Sequence, residues 1–168
     1  MSNKTIVTHN GNFHADDVFS IAALKCIFPT FTLVRTRKQA LIDSADIVID
    51  VGGEYAPEAG RFDHHQRGGA GERENGIPYS SFGLIWKKYG LEICGGDQDV
   101  AISVDSGLVS NIDAVDCGHV EGVSKGISLS QTISMFNPTW QEESQFDACF
   151  DEAVEFAHRI LKRFIASA

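Results

Sequence analysis

The sequence predicts an α/β domain built on a parallel sheet with helices on both faces. Its 168 residues, of which 43% are hydrophobic and four are prolines, fit one compact domain with its own core. Short β-type runs alternate with helical stretches in the amino-terminal part, as is typical of parallel sheets. Residues 47–51 are almost uninterrupted Ile and Val, as expected of a strand buried on both faces.

The amino-terminal part is predicted to contain three strands and two helices. Residues 5–8 form the first β-type run, and a mostly apolar stretch over 13–28 follows it as a helix. A second run at 32–36 precedes a polar helical stretch at 38–44, and the third run is 47–51. This order gives a strand, helix, strand, helix, strand arrangement.

The remaining part is predicted to be mainly helical. Residues 66–78 are rich in glycine and predict a loop. Gly90 and Gly118 are predicted to end helices, and Ser144 to begin the last one, which carries an apolar stripe with a 3.6-residue period. The predicted helices cover residues 82–89, 97–115 and 144–166.

The composition excludes several classes of protein. The net charge of -9 argues against a generally cationic surface that coats nucleic acid, so a phosphate-bearing partner would have to meet metal ions or a local basic patch. The four cysteines form no C-x-x-C pair, which favours reduced thiols over a zinc-thiolate site. No apolar run approaches the ~20 residues that span a bilayer. We therefore expect a cytoplasmic protein without a membrane partner.

Histidines and aspartates follow the predicted strands. His9, His14 and Asp16 come after the first strand, Asp50 ends the third, and Asp63-His64-His65 follows a short run. Because loops at the carboxyl ends of parallel strands converge, these side chains should share one edge of the sheet. Imidazole and carboxylate groups hold divalent transition ions while leaving positions open for water and substrate. The mixture fits manganese, cobalt, iron or zinc better than magnesium alone.

Each of these residues also has a simpler structural interpretation. A single loop histidine such as His9 is more often a hydrogen-bonding group than a ligand. Asp50 could cap the turn after its strand, and Asp16 and Asp17 could stabilise the start of a helix. The argument for a metal site is that these residues gather in loops at a common sheet edge.

Several motifs resemble those of known phosphoesterases. Asp50 followed by Asp63-His64-His65 resembles the second and third motifs of the DHH phosphoesterase superfamily. The chain resembles more closely the melanocyte-proliferating-gene exonuclease family, whose motifs match at residues 8–16, 34–37, 50–53, 61–66, 80–86, 112–116 and 137–140. The resemblance implies a DHH-type parallel-sheet phosphoesterase domain over residues 1–168, acting on a nucleotide or short oligonucleotide.

The resemblance also implies two divalent metal ions, with manganese as the first candidate. One ion would be held by His9, His14 and Asp50, and the other by Asp16, Asp50, His64 and Asp116. With Asp50 bridging, the ions would lie roughly 3.5–4 Å apart and activate a shared water as the hydroxide that attacks phosphorus. His65 and Asp50 are then the catalytic residues, with His65 facing the phosphate.

Further residues are expected around these ligands. Arg35, Arg37 and Arg61 are candidates to hold phosphate oxygens, with ordinary surface ion pairs as the alternative. Asp63 would orient a histidine from behind the ligands. The spacing leaves open the choice between Asp16 and Asp17 as the ligand after His14, and between Asp116 and Asp113 as the last ligand; we expect Asp17 and Asp113 to support the site from behind.

Two departures from the family pattern keep other functions open. This chain has Cys117 where the family commonly has Asn, and it ends at Ala168, where the family continues into a second domain. The leading hypothesis is a metal-dependent nuclease or nucleotide phosphodiesterase. The alternatives are a metal-containing nucleotide-binding or regulatory module without turnover, and a metal-free interaction domain. A homo-oligomer, paired through part of the last helix, also stays open.

Overall fold

The computed structural model describes residues 3–119, 126–142 and 145–168. Its centre is a five-stranded sheet with the order β2-β1-β3-β5-β4. The strands are β1 (Lys4–Thr8), β2 (Phe31–Arg35), β3 (Ile47–Ile49), β4 (Tyr55–Ala56) and β5 (Arg61–Phe62). Every pairing is parallel except that of β4 with β5. The predicted α/β class is confirmed, and the sheet is parallel as predicted except for the pair of β4 with β5.

Helices occupy most of the remaining described residues. They are α1 (Ala15–Ile27), α2 (Gln39–Ser44), α3 (Ser81–Ile93), α4 (Gln98–Val104), α5 (Ser110–Asp116), α6 (Leu129–Ser134) and α7 (Phe146–Ser167). A π-helical segment, Asp105–Val109, joins α4 to α5. None of the helices in the described ranges is long and apolar enough to cross a membrane. The four cysteines are free.

The two faces of the sheet are covered unequally. Successive side chains of a strand point to opposite faces, so Ile6 and Val7 of β1 belong to different cores. Ile6 and Ile47 pack in the main core with α1, α3 and α7. Val7 and Val48 pack in a smaller core with Ile42 of α2. Helices therefore lie on both faces, and α1 packs against both α3 and α7.

Some predicted boundaries differ from the observed ones. The predicted stop at Gly90 is wrong, because α3 continues to Ile93. Gly90 lies where a Cβ would come within 2.8 Å of the Trp86 ring, so it makes room for that ring inside the helix. The third strand ends at Ile49, before Asp50. The last helix begins at Phe146, and the predicted start at Ser144 lies outside the described residues.

Candidate metal centre

The strand order places two of the predicted ligands at the centre of the sheet edge. From β1 the chain passes through α1 to β2 on one side, and then through α2 to β3 on the other side of β1. The strand order therefore reverses between β1 and β3, where open α/β sheets bind their ligands beyond the carboxyl ends. His9 directly follows β1, and Asp50 directly follows β3.

Asp50 occupies the middle of a cluster of side chains. Its Oδ2 lies 3.2 Å from His9 Nε2, and its Oδ1 lies 3.2 Å from His64 Nε2. Its φ of 56° is the only positive value at a non-glycine residue in the described part of the chain. Few residues other than glycine adopt this region, and such outliers gather at functional sites. The left-handed turn ends β3 and leaves the carboxylate between two histidines.

A second group of side chains surrounds His64. Besides Asp50, its Nε2 lies 3.3 Å from Asp116 Oδ2 and 3.7 Å from Asp16 Oδ2. These four residues come from four separate parts of the sequence and are the set predicted to hold one of the two metal ions. Asp116 thus contacts His64, whereas Asp113 contacts the other partners described below.

The other predicted ligands join the same cluster. His9, His14 and Asp50 each offer one ligand atom within 4.8 Å of the others, and so do His14, Asp16 and Asp116. His14 is exposed, whereas Asp16 is fully buried. All six residues predicted as metal ligands are thus brought together at one edge of the sheet.

The electrostatics of the cluster fit a bound cation. Buried Asp16 Oδ1 has no hydrogen bond of good geometry in the described structure. Burial, together with the charges of Asp50 and Asp116, holds the pKa of Asp16 well above its usual range. Burial alone lowers the pKa of His64, but hydrogen bonding to Asp50 and Cys117 and the charges of Asp50 and Asp116 raise it to about 10. Crowded carboxylates beside imidazoles form a donor set suited to divalent transition metals.

Asp17 connects the start of α1 to His9. Its Oδ1 accepts hydrogen bonds from the backbone N–H groups of His14 and Val18, at 2.9 and 2.8 Å, and so caps the start of α1. Its Oδ2 lies 3.3 Å from His9 Nε2. One oxygen of Asp17 is therefore occupied by the helix backbone, which leaves Asp16 as the carboxylate that faces His64.

Asp63 fixes the orientation of His65. Asp63 Oδ1 accepts hydrogen bonds from the backbone N–H of His65 at 3.1 Å and from its Nδ1 at 2.8 Å. Asp63 Oδ2 accepts one from the Gly53 N–H at 2.6 Å. The His65 side chain is 63% exposed, and its Nδ1 lies 3.4 Å from Asp50 Oδ1. His65 thus stands at the open side of the cluster.

The three predicted phosphate-binding arginines have different environments. Arg37 is exposed and donates hydrogen bonds to Asn10, the residue after His9. The side chain of Arg35 is only 3% exposed and donates to the Gly11 and Phe146 carbonyls and to Asp147. Arg35 therefore fastens the loop after β1 to α7 instead of facing a ligand.

The expectation for Arg61 is corrected by the structure. Arg61 pairs with Val48, and its guanidinium donates to the carbonyls of Asp43, Ala45 and Ala59. Asp43 and Ala45 precede β3, so the side chain reaches toward the amino ends of the strands. The candidate metal centre lies at their carboxyl ends.

Sequence reasoning gave no specific role to two side chains that touch the cluster. Ser81 donates a hydrogen bond of 3.0 Å from Oγ to Asp50 Oδ1, and its backbone N–H donates to Asp16 Oδ2 at 3.3 Å. Cys117 Sγ lies 3.8 Å from His64 Nδ1, on the ring edge opposite the carboxylates. The sequence feature that could have pointed to Ser81 is its position at the start of a helix that follows the glycine-rich loop.

Arg73, in the glycine-rich loop, was also missed. Its guanidinium pairs with Asp105 at 2.8 Å and with buried Asp113 at 2.6 Å. Asp113 Oδ1 in turn accepts hydrogen bonds from Ser80 Oγ at 2.5 Å and from the Gly83 N–H at 3.0 Å. Asp113 therefore contacts Ser80, the neighbour of Ser81 in the sequence.

Comparison with known proteins places these features in a family. A family model described as MYG1 exonuclease, an uncharacterised protein family (UPF0160), matches residues 5–168. MYG1 exonuclease of Mus musculus is 34% identical over 170 residues, covering 86% of this chain and 45% of the relative. MYG1 exonuclease of Homo sapiens is 33% identical over 181 residues, covering 92% of this chain and 48% of the relative. MYG1 protein of Saccharomyces cerevisiae is 32% identical over 183 residues, covering 91% of this chain and 54% of the relative.

The chain spans about half the length of these curated relatives. No solved structure matches it. The DHH-type assignment of the fold therefore stays a prediction that rests on the motifs.

Proposed function

Because the chain belongs to the MYG1 exonuclease family, we propose that it is a metal-dependent phosphoesterase that acts on nucleotides or short oligonucleotides. Relatives named exonucleases supply the substrate class. The observation that carries the proposal is the convergence of six histidine and aspartate side chains, from four separate parts of the sequence, where the strand order reverses.

The side chains fit two divalent metal ions, with manganese as the first candidate. One ion would be held by His9, His14 and Asp50, and the other by Asp16, Asp50, His64 and Asp116. When bound, such ions lower the pKa of water and offset the negative charge of a phosphate ester. Asp50 is suited to serve both ions, because its two oxygens face different histidines. On this proposal the domain is of the DHH type, as its motifs imply.

The protein's own side chains have defined tasks around such a centre. Because His65 Nδ1 is occupied by Asp63, Nε2 is the ring atom left to donate to, or exchange a proton with, a phosphate oxygen. Ser81 holds Asp50 through one oxygen and steadies Asp16 through its backbone N–H. Exposed Arg37, beside Asn10, is the arginine placed to meet the negative charge of a substrate.

The decisive experiment combines metal analysis with hydrolysis. We expect purified protein loaded with Mn²⁺ to bind two ions per chain and to release mononucleotides or phosphate from short oligonucleotides. Asp50→Asn should remove both properties, whereas the matched variant Asp99→Asn, at an exposed position in α4, should keep both.

Two results would contradict the proposal. Absence of bound metal would favour a metal-free interaction domain. Metal and tight nucleotide binding without turnover of oligonucleotides, cyclic dinucleotides, nucleoside bisphosphates or pyrophosphate, with Mn²⁺, Mg²⁺, Co²⁺ or Zn²⁺, would favour a regulatory module.

A further inference from the structure

A cavity of about 310 Å³ opens beside the candidate metal centre. Two of the proposed metal ligands, His14 and Asp116, form part of its wall. Ala15 at the start of α1 and Val115 near the end of α5 add apolar surface. Helix α6 supplies Ser130, Gln131 and Ser134. The cavity therefore has ligand groups on one side and hydroxyl and amide groups on another.

The wall formed by α6 is fastened to the metal-ligand loop. Asn137, three residues beyond the end of α6, accepts a hydrogen bond from the Phe13 N–H at 3.0 Å and donates one to the Phe13 carbonyl at 2.8 Å. Phe13 directly precedes His14. These two hydrogen bonds hold the segment after α6 against Phe13. Because Phe13 is covalently bonded to His14, they also fix the distance between α6 and His14.

The start of α6 is held equally firmly. Ser128 and Gln131 form a capping box, in which Gln131 N–H donates to Ser128 Oγ at 3.1 Å and Ser128 N–H donates to Gln131 Oε1 at 2.8 Å. A short helix secured at its start and just beyond its end gives the cavity a preorganised wall. Preorganised walls lower the ordering cost of binding a small ligand.

The size and chemistry of the cavity select one class of ligand. A volume near 310 Å³ lies at the lower end of small-molecule sites, which hold roughly 300–1,000 Å³, and fits a single nucleoside better than a longer chain. Serine hydroxyls and Gln131 Nε2, the amide atom that the capping box does not use, match sugar hydroxyls and base edges, and the apolar residues match the face of a base. A phosphate at the metal centre would bring its own nucleoside to this opening.

We propose that this cavity is the subsite for the terminal nucleoside of the substrate, with Ser130, Gln131 and Ser134 as its specificity-determining residues. The inference rests on the proposed function. A subsite that accepts one nucleoside next to the centre restricts cleavage to the end of a strand, so mononucleotides are the expected product.

Filling the cavity tests the subsite. Ser134→Leu places a larger apolar side chain in it without changing a proposed metal ligand. Ser44→Leu is a matched control, because Ser44 and Ser134 each end a six-residue helix and each donate from Oγ to the carbonyl three residues earlier. Ser130→Leu narrows the same cavity from another position. It keeps the test valid if Ser134→Leu fails to fold.

The readout compares two probes on Mn²⁺-loaded protein by calorimetry. We expect Ser134→Leu and Ser130→Leu to weaken AMP binding about tenfold or more while binding of inorganic phosphate stays unchanged, and Ser44→Leu to change neither. Unchanged AMP binding in both cavity variants would overturn the subsite, and so would equal weakening of AMP and phosphate. Absence of AMP binding by the Mn²⁺-loaded wild type would overturn the subsite too. Failure of the proposed function appears separately, as absence of bound metal or as absence of turnover by wild-type protein that binds AMP.

Discussion

The Arg73 guanidinium forms an ion pair of 2.6 Å with the fully buried carboxylate of Asp113. The pair joins the glycine-rich loop to α5, and Ser80 and Gly83 extend it to the start of α3. Asp116, one helical turn after Asp113, faces His64 in the candidate metal centre. The ion pair therefore connects three segments that position the centre.

Replacing Arg73 should destabilise the fold. In Arg73→Met the Asp113 carboxylate stays buried without its cation, and loss of one partner of a buried pair costs about 3–5 kcal/mol. Lys87→Met is a matched control, because Lys87 also lies over the Tyr79 ring but is exposed. Urea unfolding should show a loss of several kcal/mol for the first variant and less than about 0.5 kcal/mol for the second. Equal small losses would show that the pair contributes little.

Ser81 should act on metal affinity more than on stability. Its hydroxyl donates to Asp50 Oδ1, and loss of such a contact behind a metal ligand typically lowers metal affinity about 10- to 100-fold. Ser81→Ala should therefore bind Mn²⁺ more weakly in titration calorimetry. Ser44→Ala, which loses a hydrogen bond to a carbonyl on α2, should bind as the wild type does. The same affinity in both variants would exclude a positioning role for Ser81.

The ligand cluster could be predicted from sequence because strand ends share an edge. Asp50 and His64 follow parallel neighbours, β3 and β5, so their proximity is a consequence of the sheet. Which of Asp16 and Asp17 faces His64 could not be predicted, since it depends on which carboxylate caps α1. The role of Arg73 could not be predicted either, because its partners lie 32 and 40 residues away in sequence.

The direction in which the Arg61 side chain points could not be predicted from the sequence either. A histidine or aspartate after a strand lies at its carboxyl end regardless of register. Arg61 lies inside the two-residue strand β5, where the pairing with Val48 and the carbonyls near β3 decide its direction. No periodicity is readable in a strand of that length, so spacing alone could not separate Arg61 from Arg37.

Arg37 and Arg61 should consequently differ in substrate binding. Arg37→Gln removes an exposed positive charge beside the loop of His9, so we expect KM for a short oligonucleotide to rise several-fold with little change in kcat. Arg61→Gln carries the same substitution at the amino ends of the strands and should leave both constants unchanged. A rise in KM for Arg61→Gln alone would reverse this assignment. The increase for Arg37→Gln should shrink at higher ionic strength, because exposed charges are screened.

Removal of metal should lower the stability of the wild-type protein. Crowding of buried carboxylates around Asp16 disfavours the metal-free state, and a ligand that binds only the folded state stabilises it by about 2.7 kcal/mol at one hundred times its Kd. Urea unfolding with EDTA and with excess Mn²⁺ should therefore give clearly different midpoints. Asp50→Asn should abolish the difference, and Asp99→Asn should retain it. The same midpoint in EDTA and Mn²⁺ for the wild type would mean that the cluster binds no metal in the folded state, since mass action requires stabilisation by any ligand that prefers that state.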